Sequence, residues 1–414
     1  MTSSSLPPAS SPFVVLAAAS PSEQRHAWRA THPFWGRGLT LAQYIAREEH
    51  LLTHTTLARD GGLTPWILTT TTSGDDDPRP VLSSCETLAK RAIVASPDGS
   101  SVTDVVAHGV ASVFTEPGYR SRGYAGRMME LLGAALARRE EASPGAARFS
   151  VLFSDIGPRF YANHQWKPMG NMHLAFPVGG GGGGSGVPST STPARITELT
   201  DQHLEALTAR DEQLLRAQLS QPIAAGARHT VRVAVLPDYA TLEWHFRRED
   251  HHMLGNLPGP ATPRVRGALY TPPTPGNDAG DTRRRVWGFW VRSRSDGGSS
   301  SSSSSSSSSA PVVTVLHFLR LVVENDAQTS DEELAAALDG IIEVARREAA
   351  GCGASSVEMW NPSTRVAAVF RERLPQLQGR IVQRDESSLA SLRWFGAGSV
   401  DDVEWVANEK FAWC

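Results

Sequence analysis

Cysteine is scarce in this chain. Its 414 residues carry three, Cys85, Cys352 and Cys414. They lie far apart with no Cys-x-x-Cys pair, which excludes a disulfide framework and a cysteine zinc site. The 13 histidines are scattered and show no His-Glu-x-x-His spacing, so no metal is expected. Long apolar runs are also missing. Phe13 to Ala19 is among the longest, far short of the roughly 20 residues that span a bilayer. Net charge is only −3, which gives no general pull toward nucleic acid or an anionic membrane. Neither is expected as a partner. Met1 to Pro12 is rich in Ser and Pro but lacks the basic start of a secretory signal and the Arg spacing of a transit peptide. Residues 1–19 therefore read as a disordered leader, and a reducing, cytoplasmic location is the default.

What is present divides the chain in two. Hydrophobic residues make up 40%, enough for ordinary buried cores. A glycine run after Val178, followed by Pro188-Ser-Thr-Ser-Thr-Pro193, lacks the Lys-Ser/Thr of a phosphate loop and reads as a linker over 178–193. A serine run, at about 295–310, lies between the strand-like segments Val286–Val291 and Val312–Leu319 and reads as a hairpin loop swollen by a disordered insert. The expected units are 20–177 and 194–414. The second repeats the order of the first: strand, strand, helix, strand. Its helix carries a capping pattern, Ser330-Asp-Glu-Glu333, and an apolar stripe of Leu334, Leu338, Ile341, Ile342 and Ala345. Ser355–Trp360 follows as a short strand.

The chemistry concentrates between Asp104 and Met169. Asp104–Phe114 is β-branched and aromatic, as a strand should be. A turn with Pro117 and Gly118 follows, then Arg120-Ser-Arg-Gly-Tyr-Ala125, then a helix from about Tyr124 to Glu140. A helix start leaves N–H groups unpaired and carries partial positive charge. Gly123 and Ala125 let a ligand approach the backbone, and Arg120 and Arg122 add charge. A diphosphate suits this turn.

Arg120-x-x-Gly123-x-Ala125 after a strand resembles the phosphate signature of the GCN5-related acetyltransferases. Phe149–Phe153 as a second strand, then Phe160-Tyr161-Ala-Asn-His-Gln-Trp166 and Lys167-Pro168-Met169, resembles that family's fifth strand and fourth helix. Gln165 stands where the pattern prefers Gly, in a left-handed turn position that costs a non-glycine residue about 1–2 kcal/mol. The resemblance implies a pyrophosphate of acetyl-CoA on the turn Arg120, Ser121, Arg122, Gly123, Tyr124 and Ala125. It also implies Val113 and Phe114 at a place where the sheet opens for the pantetheine arm, an oxyanion held by backbone N–H near Ser112–Phe114, and Tyr161 as the acid that protonates the leaving thiolate.

Over about 20–177 and 195–414 the chain is also similar to the fungal lysine N6-acetyltransferases, through Val110–Phe114, Val151–Gly157, Leu242–Glu249 and the tail Asn408-Glu-Lys-Phe-Ala-Trp-Cys414. This implies acetyl transfer to the N6 amine of free L-lysine. Protein lysines or polyamines are the alternative acceptors, and a non-catalytic CoA-binding scaffold is a third reading. The amine arrives protonated at neutral pH. His108 is the expected base, with Asp155 and Glu116 also open and each with a plain structural reading. His245, Arg248 and Glu249 are the candidate substrate contacts, set against an amphipathic helix with a solvated face. The fold implied is α/β (α+β): an acetyltransferase fold with a mixed, mostly antiparallel, splayed sheet, joined to a second, degenerate acetyltransferase-like α+β domain lacking the phosphate signature.

Overall fold

Strand pairing in this molecule crosses the boundary expected near residue 177. The computed structural model describes residues 6–36, 38–71, 79–141, 148–179, 195–223, 226–254, 264–273, 284–296 and 312–414. Residues 1–5, most of the linker and the serine run lie outside the described residues. In chain order the first half contains β1 (Val14–Ala18), α1 (Pro21–Trp35), α2 (Leu41–His54), β2 (Leu63–Thr70), β3 (Ser83–Ala95), β4 (Val102–Phe114), α3 (Tyr124–Glu141), β5 (Phe149–Ser154), α4 (Arg159–Ala162), β6 (Lys167–Pro168) and β7 (Met172–Pro177). The second half contains β8 (Ile196–Leu199), α5 (Asp201–Leu219), β9 (Val231–Val235), α6 (Tyr239–Leu254), β10 (Gly267–Tyr270), β11 (Val286–Asp296), β12 (Val312–Val323), α7 (Asp331–Gly351), β13 (Ala354–Trp360), α8 (Thr364–Arg373), β14 (Arg380–Gln383), β15 (Leu389–Trp394) and β16 (Val403–Trp405).

Local chemistry explains where several helices start. Ser20 and Glu23 form a reciprocal capping box for α1, with Pro21 in the first turn, and Thr40 and Gln43 do the same for α2. At α7, Ser330 Oγ accepts from Glu333 N at 3.2 Å. The α7 stripe is fully buried, with Leu334, Leu338, Ile341, Ile342 and Ala345 all at 0% exposure.

Two sheets result. The first has nine strands, in the order β1-β2-β3-β4-β5-β15-β6, with β9 pairing the far end of β3 and β16 pairing β9. The second has seven, in the order β14-β7-β13-β12-β11-β10-β8. Most neighbours are antiparallel. The parallel pairs are β4–β5, β12–β13 and β9–β16. In each sheet a hairpin and a parallel crossover recur: β3-β4-α3-β5 in one, β11-β12-α7-β13 in the other.

Two expectations need correction. The leader over 1–19 is not disordered throughout, because Val14–Ala18 pairs along β2 from Val14↔Thr70 to Ala18↔Trp66. Its apolar run is the edge strand of the first sheet. The units 20–177 and 194–414 do not fold as separate sheets. β7 runs between β13 and β14 of the second sheet, while β15 lies against β5 in the first. Each parallel pair is thus completed by a strand from the other half, which leaves neither pair with an open inner edge.

Beyond Val110 the parallel pair opens. β4 and β5 are paired from Ala107↔Phe149 to Val110↔Leu152, while β15 pairs with the other edge of β5 along its whole length, from Phe149 to Ser154. The end of β4, residues 111–114, is released from β5, as the resemblance implied.

Candidate active site

The opening is built around a break in β4. The ladder to β3 jumps from Glu86↔Ala111 to Ser84↔Phe114, so two residues of β4 oppose one of β3. Ser112 sits in this bulge at φ 54, a left-handed conformation that costs a serine of order 1 kcal/mol. Directly across, Glu86 is held by three donors: Gln24 Nε2 at 2.7 Å, Trp28 Nε1 at 3.2 Å and Ser112 Oγ at 3.1 Å. Burial, with the nearby Glu48 carboxylate, pushes its carboxyl up to about 7 despite those bonds. A small cleft, partly open to solvent, is lined here by Trp28, Thr31, Cys85, Glu86 and Ser112, among others. Glu86, Leu88 and Lys90 share one face of β3. That face carries α1 and the C-terminal tail: Leu88 packs with Trp413 and Cys414, and Lys90 Nζ donates to the Ala412 and Trp413 carbonyls at 2.9 Å each. Met128, Met129 and Leu132 of α3 cover the opposite face, with Cys85.

The phosphate-type turn stands at the open end of β4. Gly123 has φ +83 and opens α3, and Arg120, Ser121, Arg122 and Gly123 are all exposed. Arg120 Nε donates to Thr115 O at 2.9 Å, and its guanidinium lies 5.6 Å from the Phe34 ring centre and 5.5 Å from that of Phe114. Phe114 is buried and Val113 half-buried against the α3 side. Ala125 is half-buried, whereas the Tyr124 side chain is core and its hydroxyl donates to Pro7 O at 2.6 Å. Only the backbone of Tyr124 remains to face a ligand. Ala9 crosses the same place: a Cβ on Gly123 would stand 3.4 Å from its own.

The other candidates take distinct positions. Tyr161, on α4, is 8% exposed, packs edge-on to Phe160 at 4.9 Å and shares a cluster with Cys85. Burial holds its hydroxyl protonated well past the usual range. Gln165 has φ 75, as its place in the pattern required. His108 is buried on β4, four residues before the bulge and roughly 13 Å from it along the strand. Asp155 Oδ1 accepts from Ser388 N at 2.8 Å, and Glu116 Oε1 lies 2.7 Å from His26 Nε2. Asp155 ties two loops together, and Glu116 ties its turn to α1.

The three candidates on α6 separate. His245 is buried, with Nε2 2.9 Å from Phe411 O, and burial keeps it neutral. Glu249 is 3% exposed and holds Arg266 and Arg292 at 2.8 Å each, an ion-pair network inside the second half. Neither is free for a substrate. Arg248 differs: its guanidinium lies 4.8 Å from the Trp413 ring centre, with no carboxylate in ion-pair range among the described residues. The charged face expected to be solvated on this helix is largely consumed in buried pairs.

The comparisons with known proteins agree with this geometry. A family model described as the LYC1 GNAT-like C-terminal domain matches residues 185–414. The chain belongs to this family. A lysine acetyltransferase of Yarrowia lipolytica is 24% identical over 280 residues, covering 60% of this chain and 68% of that protein. A probable N-acyltransferase of Enterococcus faecalis has the same fold at a TM-score of 0.51 and 12% identity, over 92% of this chain and 73% of the other. Saccharomyces cerevisiae N-myristoyltransferase, solved with myristoyl-CoA, aligns at 0.50 and 8% identity over 94% and 80%. The protein is an N-acetyltransferase of the GCN5-related superfamily. No helix among the described residues is long and apolar enough to cross a membrane. No group of three or more metal-binding side chains occurs among them either.

Sequence reasoning missed Glu86 in this acetyltransferase. Its hydrogen-bond partners lie 62, 58 and 26 residues away. The local signal is faint: one acid in Ser83–Ala95, a strand that also carries Ser83, Ser84, Lys90 and Arg91.

Proposed function

We propose that the protein transfers the acetyl group of acetyl-CoA to the N6 amine of free L-lysine, by direct attack in a ternary complex. The observation that carries this reading is Glu86, a buried carboxyl across from the β4 bulge, on the face of the sheet opposite α3. The phosphate turn and the base thus serve two substrates arriving from two sides of one strand. The turn Arg120–Ala125 and the unpaired N–H groups of α3 would hold the pyrophosphate. The thioester arm would lie in the opening between β4 and β5, with Val113 and Phe114 along it. A carboxyl near pKa 7 is matched to removing a proton from an ammonium at neutral pH. The free amine attacks the thioester carbon, a C–N bond forms, and the C–S bond breaks. Backbone N–H groups released at the bulge would stabilise charge on the carbonyl oxygen. Tyr161, still protonated, gives its proton to the leaving sulfur, and the second proton lost by the acylated nitrogen replaces it through solvent. Glu86 thereby takes the place first assigned to His108, which lies farther from the opening. A covalent route through Cys85 is disfavoured, because burial and the adjacent Glu86 hold that thiol protonated.

The test is thiol release from acetyl-CoA with free L-lysine, a lysine-bearing peptide and spermidine, run on wild type and Gly123→Glu. Turnover with lysine, lost in the variant, is expected. Turnover only with peptide or polyamine would move the acceptor to those classes. No turnover with any amine would leave the scaffold reading standing.

A further inference from the structure

The C-terminal tail places a second group of charges on the amine side of the sheet. Lys410 is 8% exposed, yet its ammonium has no hydrogen bond or ion pair among the described residues. It lies over two aromatic rings, Trp360 with its centre at 4.0 Å and Trp413 at 4.3 Å. Arg384 lies 3.7 Å from the centre of Trp360 and Arg248 lies 4.8 Å from that of Trp413. Three cations therefore gather around two indoles. Arg384 donates to Ser388 O at 2.8 Å, while its Nε and second terminal nitrogen are buried without partners. Two acids stand nearby and act on the cluster through space without an ion pair to it: Asp155, which accepts from Ser388 N, and Glu358, 3.8 Å from His173 Nε2 and 3.5 Å from His317 Nδ1, both favour the charged forms of Lys410 and Arg384.

Burial brings the Lys410 ammonium down to about 7 and both Arg248 and Arg384 to about 10, which is the cost of gathering like charges away from water. Indole faces offset part of that cost. A small anion would offset the rest, since unpaired N–H donors on planar guanidinium groups match a carboxylate. The cluster is on the Glu86 side. Trp413 packs in the same cluster as Leu88, and Glu48 acts electrostatically on both Glu86 and Arg248.

We propose that Lys410, Arg384 and Arg248 form a subsite that holds the carboxylate of the amine substrate, so that the enzyme selects free amino acids over polyamines. The proposal rests on the amine-acetylation reading and adds the feature that recognises the acceptor. A protein lysine has no free carboxylate to offer here, and neither does a diamine.

The experiment compares L-lysine with 1,5-diaminopentane, which keeps the amine and chain but lacks the carboxylate, in wild type, Lys410→Met and Lys410→Arg. Wild type is expected to prefer L-lysine. Lys410→Met is expected to raise KM for L-lysine about 10- to 100-fold, the loss typical of one charge-assisted contact. Lys410→Arg is expected to recover part of it, and the diamine should lose far less kcat/KM than L-lysine in Lys410→Met. Equal use of the two amines by wild type, or equal loss for both in Lys410→Met, would overturn the subsite while leaving acetyl transfer intact. If no amine is turned over, the acetylation reading fails and the subsite is read by calorimetry instead. N6-acetyl-L-lysine binding where N-acetyl-1,5-diaminopentane does not would support it. Equal binding, or none, would overturn it.

Discussion

Glu86 is the residue to which the proposed chemistry assigns the base, and its burial makes two predictions. Removing a catalytic base typically costs 10²–10⁴ in rate, so Glu86→Gln should lose about that much in kcat. Wild-type kcat/KM should rise with pH through about 7 as the carboxyl ionises, and the variant should lack that limb. Stability should move the other way. A folded pKa above the unfolded value of about 4.3 means the native state binds more protons between those two values, so stability falls as pH rises across that window. Gln can accept from Gln24 and Trp28 and donate to Ser112, so the melting temperature of Glu86→Gln at pH 8 should be no lower than that of wild type. A large drop in melting temperature would mark Glu86 as a structural group instead. Tyr161→Phe tests the acid: thiol release should slow while binding of acetyl-CoA is kept. Gln165 and Gly123 could be assigned from sequence because left-handed turn residues follow local rules. Glu86 could not, because its role comes from α1 and from the bulge at Ser112, neither visible in the residues around it.

Among the elements, α3 with its preceding turn and α7 are a matched pair with opposite fates. Both cross from one strand to a parallel neighbour, and both bury an apolar stripe. Only α3 opens on an exposed, glycine-bearing turn. Before α7 the chain reads Glu324–Ser330, with Glu324 clamped by Arg210 Nε at 2.8 Å and Arg285 Nε at 2.6 Å. The α7 side is scaffold. Ile341→Ala should destabilise by about 2–5 kcal/mol, the range for truncating a fully buried aliphatic side chain, without altering KM for either substrate. Gly123→Ala should do the reverse. It adds a Cβ at φ +83, next to Ala9, at roughly 1–2 kcal/mol of backbone strain, and should raise KM for acetyl-CoA. Stripes and caps such as these were readable from spacing alone. The α6 candidates were less so, because spacing shows that His245, Arg248 and Glu249 share a helix but not which buried partner each will meet.

Across the whole molecule, the exchange of β7 and β15 joins the halves into one cooperative structure. Their division at the glycine-rich linker was apparent in composition, but strand partners two hundred residues away leave no trace in local pattern. Thermal unfolding should therefore give one transition followed alike by tryptophan fluorescence and circular dichroism, where independent halves would give two. The exchange also brings the tail into the site. Trp413 packs in one cluster with Leu88 of β3, and Lys90 of that strand donates to its carbonyl, although Trp413 lies at the end of the second half.

The most direct test of the account is the product formed from acetyl-CoA and free L-lysine, identified by mass spectrometry and by the position of the acetyl group. The account predicts N6-acetyl-L-lysine with one thiol released per product, and formation suppressed in Glu86→Gln. Acetylation at the α-amine, or acetyl-CoA consumed at the same rate with and without lysine, would contradict it.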